Sequence, residues 1–255
     1  MKKEAYPILE FDPTREALIE PSKVISPADV TERCVLTFFR EVVDGLVHAG
    51  RARQVGSIDT EMGPVPILDI EVDGRRMTVA QSGLTGPFAA AVLEELIAKG
   101  CRTFVACGAA GVLRKDIVRG MVVVVSSAVR DEGTSYHYLA PAREVTADPQ
   151  AVARAEAVLQ GHHVKYLVGK TWTTDAIYRE TRDRIALRES EGCLTVEMEA
   201  ASFLAVAQFR KVGFVQLLGA GDDVSGEEWD RRLCDERATQ REKLFWLAVD
   251  VCLSL

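Results

Sequence analysis

The chain has 255 residues, 47% of them hydrophobic, with a formal net charge of −7 and an isoelectric point near 5.3. Such a chain can bury one large core, and no Pro-, Gly- or Ser-rich linker interrupts it, so one domain over residues 1–255 is expected. The acidic balance repels nucleic acid and anionic membrane surfaces alike, which leaves a small solute as the natural ligand.

At the N-terminus, MKKEAYPILEFDP lacks the apolar core of a secretory signal, and no later apolar stretch approaches the length of a membrane span. A cytoplasmic location is therefore expected. VGSIDTEMGPVPILDIEVDGRR, from Val55, reads as a pair of hairpins turning at 62–64 and 73–74. Apolar runs rich in β-branched residues then recur as strands: MTVAQSG from Met77, TFVACG from Thr103, MVVVVSSAV from Met121, VKYLVGK from Val164 and FVQLLGAG from Phe214. Between them, GPFAAAVLEELIAKG, the segment from Pro149 to Gly161 and a stretch beginning near Glu197 have helical spacing, and a terminal helix is expected from Cys234 to Leu255. This alternation predicts an α/β fold, a three-layer α/β/α sandwich with a mixed central sheet. The six cysteines, at 34, 101, 107, 193, 234 and 252, form no CxxC pair and no ligand spacing with histidine, so they read as reduced thiols with no metal and no disulfide framework.

Two acidic stretches carry the chemistry. In VEMEAASFLAVAQF, from Val196, Glu197 and Glu199 stand two apart and point to different sides, so one can hold ligand hydroxyls while the other serves structure. Met198 between them offers a soft apolar surface suited to a sugar face. An amphipathic helix with acids in its first turn explains the same residues without a ligand. In GAGDDVSGEEW, Asp222 and Asp223 follow an apolar strand, where open α/β sheets bind ligands, although a solvated Gly/Asp turn fits the pattern too. Three glycine-containing turns are expected after strands, at Ser82, Cys107 and Gly219, where small residues let a ligand approach backbone amides. CGAAG lacks the GxGxxG spacing of a dinucleotide site, so no nucleotide cofactor is implied.

The blocks SGLTGPFAAAVLEELIAKG, TFVACGAAGVL, AVRDEGTSYHYLAP, TWTTDAIYRET, VEMEAA and GDDVSGEEW, from about Gln81 to Trp229, together resemble the nucleoside phosphorylase and nucleosidase superfamily that includes purine nucleoside and uridine phosphorylases. The resemblance implies that Met198 packs under a ribose and Glu199 accepts hydrogen bonds from its 2′ and 3′ hydroxyls. It places Ala110, Gly111, Ile177, Val196 and Glu197 around the base, Ile177 standing where many relatives stack an aromatic. It makes Asp222 the catalytic group that protonates or hydrogen-bonds N7 of a departing purine. The glutamine and arginine that read uracil in uridine phosphorylases are not evident in AIYRETRDR, and Arg179 and Arg182 read equally well as solvated helix charges. Purine and pyrimidine both stay open, with Asp222 on the purine side.

The sequence departs from the family at the phosphate site. The arginine two residues before the glycine of the central turn is Ala106, the hydroxyl after that glycine is Ala109, and the N-terminal region reads IEPSKVISPADVTER in place of a GDPxR-like turn. Phosphate would rest on backbone at Gly83, Gly108 and Ala109 without the guanidinium clamp that binds it bidentately. Arg130 is the nearest cation in a family block, an ion pair with Asp131 or another acid being its simpler role. His137 reads as a packed loop residue, Cys107 as a core thiol, and His162 and His163 as surface residues. Three readings follow: N-ribosyl transfer by phosphorolysis at an unorthodox phosphate site, taken first; hydrolysis, with water in place of phosphate; and a silent nucleoside-binding protein. No cofactor is implied beyond inorganic phosphate as co-substrate, and relatives suggest a homo-oligomer, a dimer or hexamer.

Overall fold

The computed structural model describes residues 3–255; the first two residues of the N-terminal stretch, and of the domain read as 1–255, lie outside the described residues. The strands are β1 (Arg33–Thr37), β2 (Ala52–Ile58), β3 (Val65–Val72), β4 (Arg75–Gln81), β5 (Thr103–Val112), β6 (Val122–Asp131), β7 (Glu144–Thr146), β8 (Tyr166–Thr174), β9 (Cys193–Glu197) and β10 (Gly213–Asp223). The helices are α1 (Pro21–Val24), α2 (Arg40–His48), α3 (Gly86–Lys99), α4 (Pro149–Gly161), α5 (Arg182–Ser190), α6 (Ala200–Arg210) and α7 (Arg237–Ser254).

All ten strands join one mixed sheet in the order β10-β6-β8-β9-β5-β1-β4-β3-β2, with β7 on β6. Because β5 also pairs with β10, the strands β5, β9, β8, β6 and β10 close on themselves, and β1, β4, β3 and β2 extend from that ring. The expected hairpins are β2–β3 and β3–β4, both antiparallel. Helices cover both faces. Phe203 of α6 lies 5.1 Å, ring to ring, from Phe214 of β10, while a Cβ on Gly219 would meet Leu244 of α7. Positions 214 and 219 have opposite parity on one strand, so α6 and α7 occupy opposite sides.

Local chemistry explains the helix limits. Asp148 caps α4 by accepting from the Gln150 N–H at 2.9 Å, with Pro149 following. Helix α3 has Pro in its first turn and ends at Gly100, φ 134°. Helix α6 is buried from Ala200 to Ala207 because its small residues let it pack between the sheet and α3.

Two of the expected turns are strand. Cys107–Gly111 lies inside β5 and Gly219–Asp223 inside β10, which run parallel through Ala110 and Ala220. A Cβ on Gly221 would sit 2.8 Å from the Ala110 carbonyl oxygen, so this glycine permits a close approach of strands instead of a turn. The helix expected near Glu197 begins at Ala200, and Cys193–Glu197 is β9. Among the described residues no helix is long and apolar enough to cross a membrane, and no group of three or more His, Cys, Asp or Glu side chains is placed to hold a metal. All six cysteines are free, with Cys234 exposed and the other five buried.

Candidate active site

Strands β1, β4, β5 and β10 are mutually parallel, and their carboxyl ends open on a cavity of about 570 Å³. Gly108, Ala109, Ala110, Gly111, Ile177, Val196, Glu197, Met198, Glu199 and Asp222 all line it, so residues from four parts of the sequence meet in one place. Gly83 does not. A Cβ there would come within 2.5 Å of the Phe88 ring, so the missing side chain at Gly83 serves the packing of α3.

The two glutamates divide their work. Glu197 turns inward: one oxygen accepts from the Thr173 hydroxyl at 2.6 Å, the other from the Glu199 and Ala200 N–H groups at 2.8 and 2.6 Å. It thereby caps the first turn of α6. Glu199, 5% exposed, accepts from the Thr85 N–H at 2.7 Å. Thr85 holds φ 73°, a conformation costly for a β-branched residue. Burial raises both carboxyls, but Glu197 is held by three donors and keeps its charge more readily. Burial and then the charge of Glu197 push Glu199 up to about 8.

At the other end, Asp222 accepts from the Trp229 indole N–H at 2.6 Å. Glu180 lines the same wall, where burial and the neighbouring Asp222 push it up to about 7. Glu180 and Asp222 thus line one wall of the cavity. Ile177 remains 54% exposed at the mouth.

These features match a family. Residues 45–249 match the Phosphorylase superfamily. The chain belongs to that superfamily. It is 31% identical over 142 residues to a guanosine phosphorylase of Halorubrum lacusprofundi, a match covering 56% of this chain and 59% of that relative, less than two thirds of its length. It is 24% identical to a purine nucleoside phosphorylase of Aliivibrio fischeri over 72% of this chain and 77% of the relative. Among solved structures, a uridine phosphorylase from Vibrio fischeri superposes with a TM-score of 0.73 at 20% identity, covering 89% of this chain and 92% of the other. A purine nucleoside phosphorylase from Toxoplasma gondii in complex with immucillin-H gives 0.75 at 17%, covering 88% and 91%. The two structures share the fold.

Around the position expected for phosphate, the side chains are largely apolar or already paired. Phe38 and Phe39, between β1 and α2, reach the cavity, and no residue of the region 19–33 lines it. Phe38 packs where a side chain on Gly108 would go, 2.8 Å from its would-be Cβ. Ala106 is fully buried. Arg40 pairs with Asp44 at 3.1 Å. Arg130, expected in an ion pair, instead donates to Ser135 Oγ and to the Ala140 and Leu139 carbonyls. Asp131 pairs with Arg188 at 2.9 Å. Arg241 is the one cation lining the cavity among the described residues, and it is bound to Glu41 and stacked 5.0 Å from the Phe39 ring. A second cavity of about 450 Å³ shares Phe39, Ala109, Asp222, Trp229 and Arg241 with the first and adds Arg119, Arg231, Arg237 and Lys243. His137 is exposed instead of packed and lines neither cavity. Cys107 is buried in β5, its thiol pushed up to about 12 by burial, as a core thiol should be.

Sequence reasoning passed over Phe38, Glu180, Gln216 and Trp229. Gln216 was the detectable one, a lone amide in the apolar run FVQLLG. It is 1% exposed and neither polar atom of its side chain has a hydrogen-bond partner. Such a group costs about 1–3 kcal/mol in the empty protein.

The raised Glu199 also fixes how stability varies with pH. The folded protein holds this proton more tightly than the unfolded chain, so the contribution is complete below the ordinary value of 4.5 and is lost as pH rises through about 8. Thermal melts of the unliganded protein should fall between about pH 5 and about pH 8, and Glu199→Gln should make that fall shallower, the part that is left belonging to Glu197 and Glu180, which burial also pushes up to about 7. An unchanged slope in the variant would place the titration elsewhere.

Proposed function

We propose that this chain cleaves the N-glycosidic bond of a nucleoside, with Met198 and Glu199 holding the ribose, Ala110, Gly111, Ile177, Val196 and Glu197 around the base, and Asp222 serving the leaving base. The observation that carries this reading is the convergence of buried Glu199 and of Asp222 on one cavity. A silent binder has no need of carboxyls at both ends of a glycosidic bond. Relatives named guanosine, purine nucleoside and uridine phosphorylase supply phosphorolysis as the first candidate. Phosphate would then lean on the backbone of Gly108 and Ala109 and on Arg241, with cations of the adjoining cavity behind it.

Hydrolysis has an observation of its own. The cavity wall carries four carboxyls, Glu180, Glu197, Glu199 and Asp222, against one guanidinium already bound to Glu41. Phe38 occupies the space above Gly108. A phosphate dianion finds no free bidentate clamp there and acids that repel it once ionised, whereas water needs no clamp.

The expected result is base release that needs phosphate only in the high millimolar range or not at all, the affinity left on the order of millimolar when a clamp worth a few kcal/mol is missing. Initial rates across a phosphate series, with ribose and ribose 1-phosphate quantified, measure this. Saturation by micromolar phosphate would contradict it.

A further inference from the structure

Gln216 lines the nucleoside cavity from β10, in register with Ala106 of β5, which pairs on its other side with Leu36 of β1. Phe38 and Phe39 line the same cavity. Phe38 packs over Gly108, two residues beyond Ala106, and the Phe203 ring lies 6.4 Å from Phe38 and 5.1 Å from Phe214. Among the described residues nothing hydrogen-bonds the Gln216 amide, which is 1% exposed. The residue sits at the nucleophile end, in the strand beside the alanine that stands where phosphorylases carry an arginine. Its Oε1 accepts and its Nε2 donates from adjacent positions. That pairing suits a small neutral group that both donates and accepts; a phosphate dianion would leave Oε1 facing negative charge.

We propose that Gln216 holds the water molecule that receives the ribosyl group. This inference rests on the cleavage reading above and decides between its two acceptors. The water oxygen bonds to C1′ as the C1′–N bond breaks, and the bonding pair leaves with the base. The base takes a proton at the Asp222 end. The proton lost by water passes to a cavity carboxylate, so the sum is nucleoside plus water giving base plus ribose.

The test compares wild type with Gln216→Leu and Gln216→Met on a nucleoside that the wild type cleaves, with saturating inorganic phosphate and with methanol as competing acceptor. Wild type should release free ribose with or without phosphate. Both variants should lose at least about ten-fold in kcat with KM nearly unchanged, should melt no lower than wild type, and should shift the ratio of methyl riboside to ribose because water is no longer held. Gln216→Met keeps side-chain length if the leucine variant folds poorly. Ribose 1-phosphate as the sole sugar product would overturn the inference while leaving cleavage standing, as would a wild-type kcat and methanol ratio in both variants. No base release by wild type under any condition would overturn both.

Discussion

Replacing Glu199 by alanine should lower kcat/KM for the cleaved nucleoside by at least about ten-fold, the factor carried by one transition-state hydrogen bond of about 1.4 kcal/mol. Ten-fold is a floor. The carboxyl is 5% exposed, and the Thr85 N–H at 2.7 Å orients one oxygen. Charge-assisted hydrogen bonds made in such a site are worth about 1.5–3 kcal/mol each, and two ribose hydroxyls are in question. As the glycosidic bond breaks, positive charge grows on the ribosyl ring, and the ionised form of Glu199 stabilises it. Since burial pushes this group up to about 8, kcat/KM should climb as pH rises toward that value, and Glu199→Gln should remove the climb. Steady-state kinetics across pH measure both effects. A variant with wild-type efficiency would take Glu199 out of the site.

The second large effect is expected at the leaving base. Asp222→Asn should slow purine nucleosides by about 10²-fold, the lower range of general acid catalysis. A 7-methylated purine nucleoside, whose base already carries positive charge, should be slowed far less, because the charge Asp222 handles arises only as the base departs. Glu180, pushed up to about 7 by burial and then by Asp222, lines the same wall. Glu180→Gln should therefore lower the same rates more weakly. Equal slowing of activated and ordinary substrates by Asp222→Asn would contradict the leaving-group role.

The parts of this molecule that could be read from sequence are those where one residue pattern has one physical solution. The helix Pro149–Gly161 is found as read, because Asp148 and Pro149 fix its start and its apolar spacing has one buried face. The strand cores from Thr103, Met121 and Phe214 are likewise found, since β-branched runs buried on both faces have few alternatives. The glycine-rich strand ends misled. Gly108, Gly111, Gly219 and Gly221 look like turn residues, yet β5 and β10 continue through them because their neighbours demand space, a fact that depends on residues about a hundred positions away. β9 was hidden for a similar reason: Cys193–Glu197 is short and runs without a turn residue into a helix of the same apolar character.

In the site, acids were visible because charge is rare in apolar runs, and Glu197, Glu199 and Asp222 line one cavity. Phe38 was not visible, and Gln216 showed only as an amide out of place in an apolar run. Phe38 matters for the space it fills above Gly108, and Gln216 for the partner it lacks, and neither property belongs to a residue type.

Release of free base from a panel of purine and pyrimidine nucleosides, followed chromatographically for wild type and for Glu199→Ala with and without phosphate, tests the central claim most directly. Cleavage of at least one nucleoside by wild type, reduced at least about ten-fold in the variant, is the predicted result. Intact nucleosides under every condition, with a well-folded protein that still binds them, would contradict it.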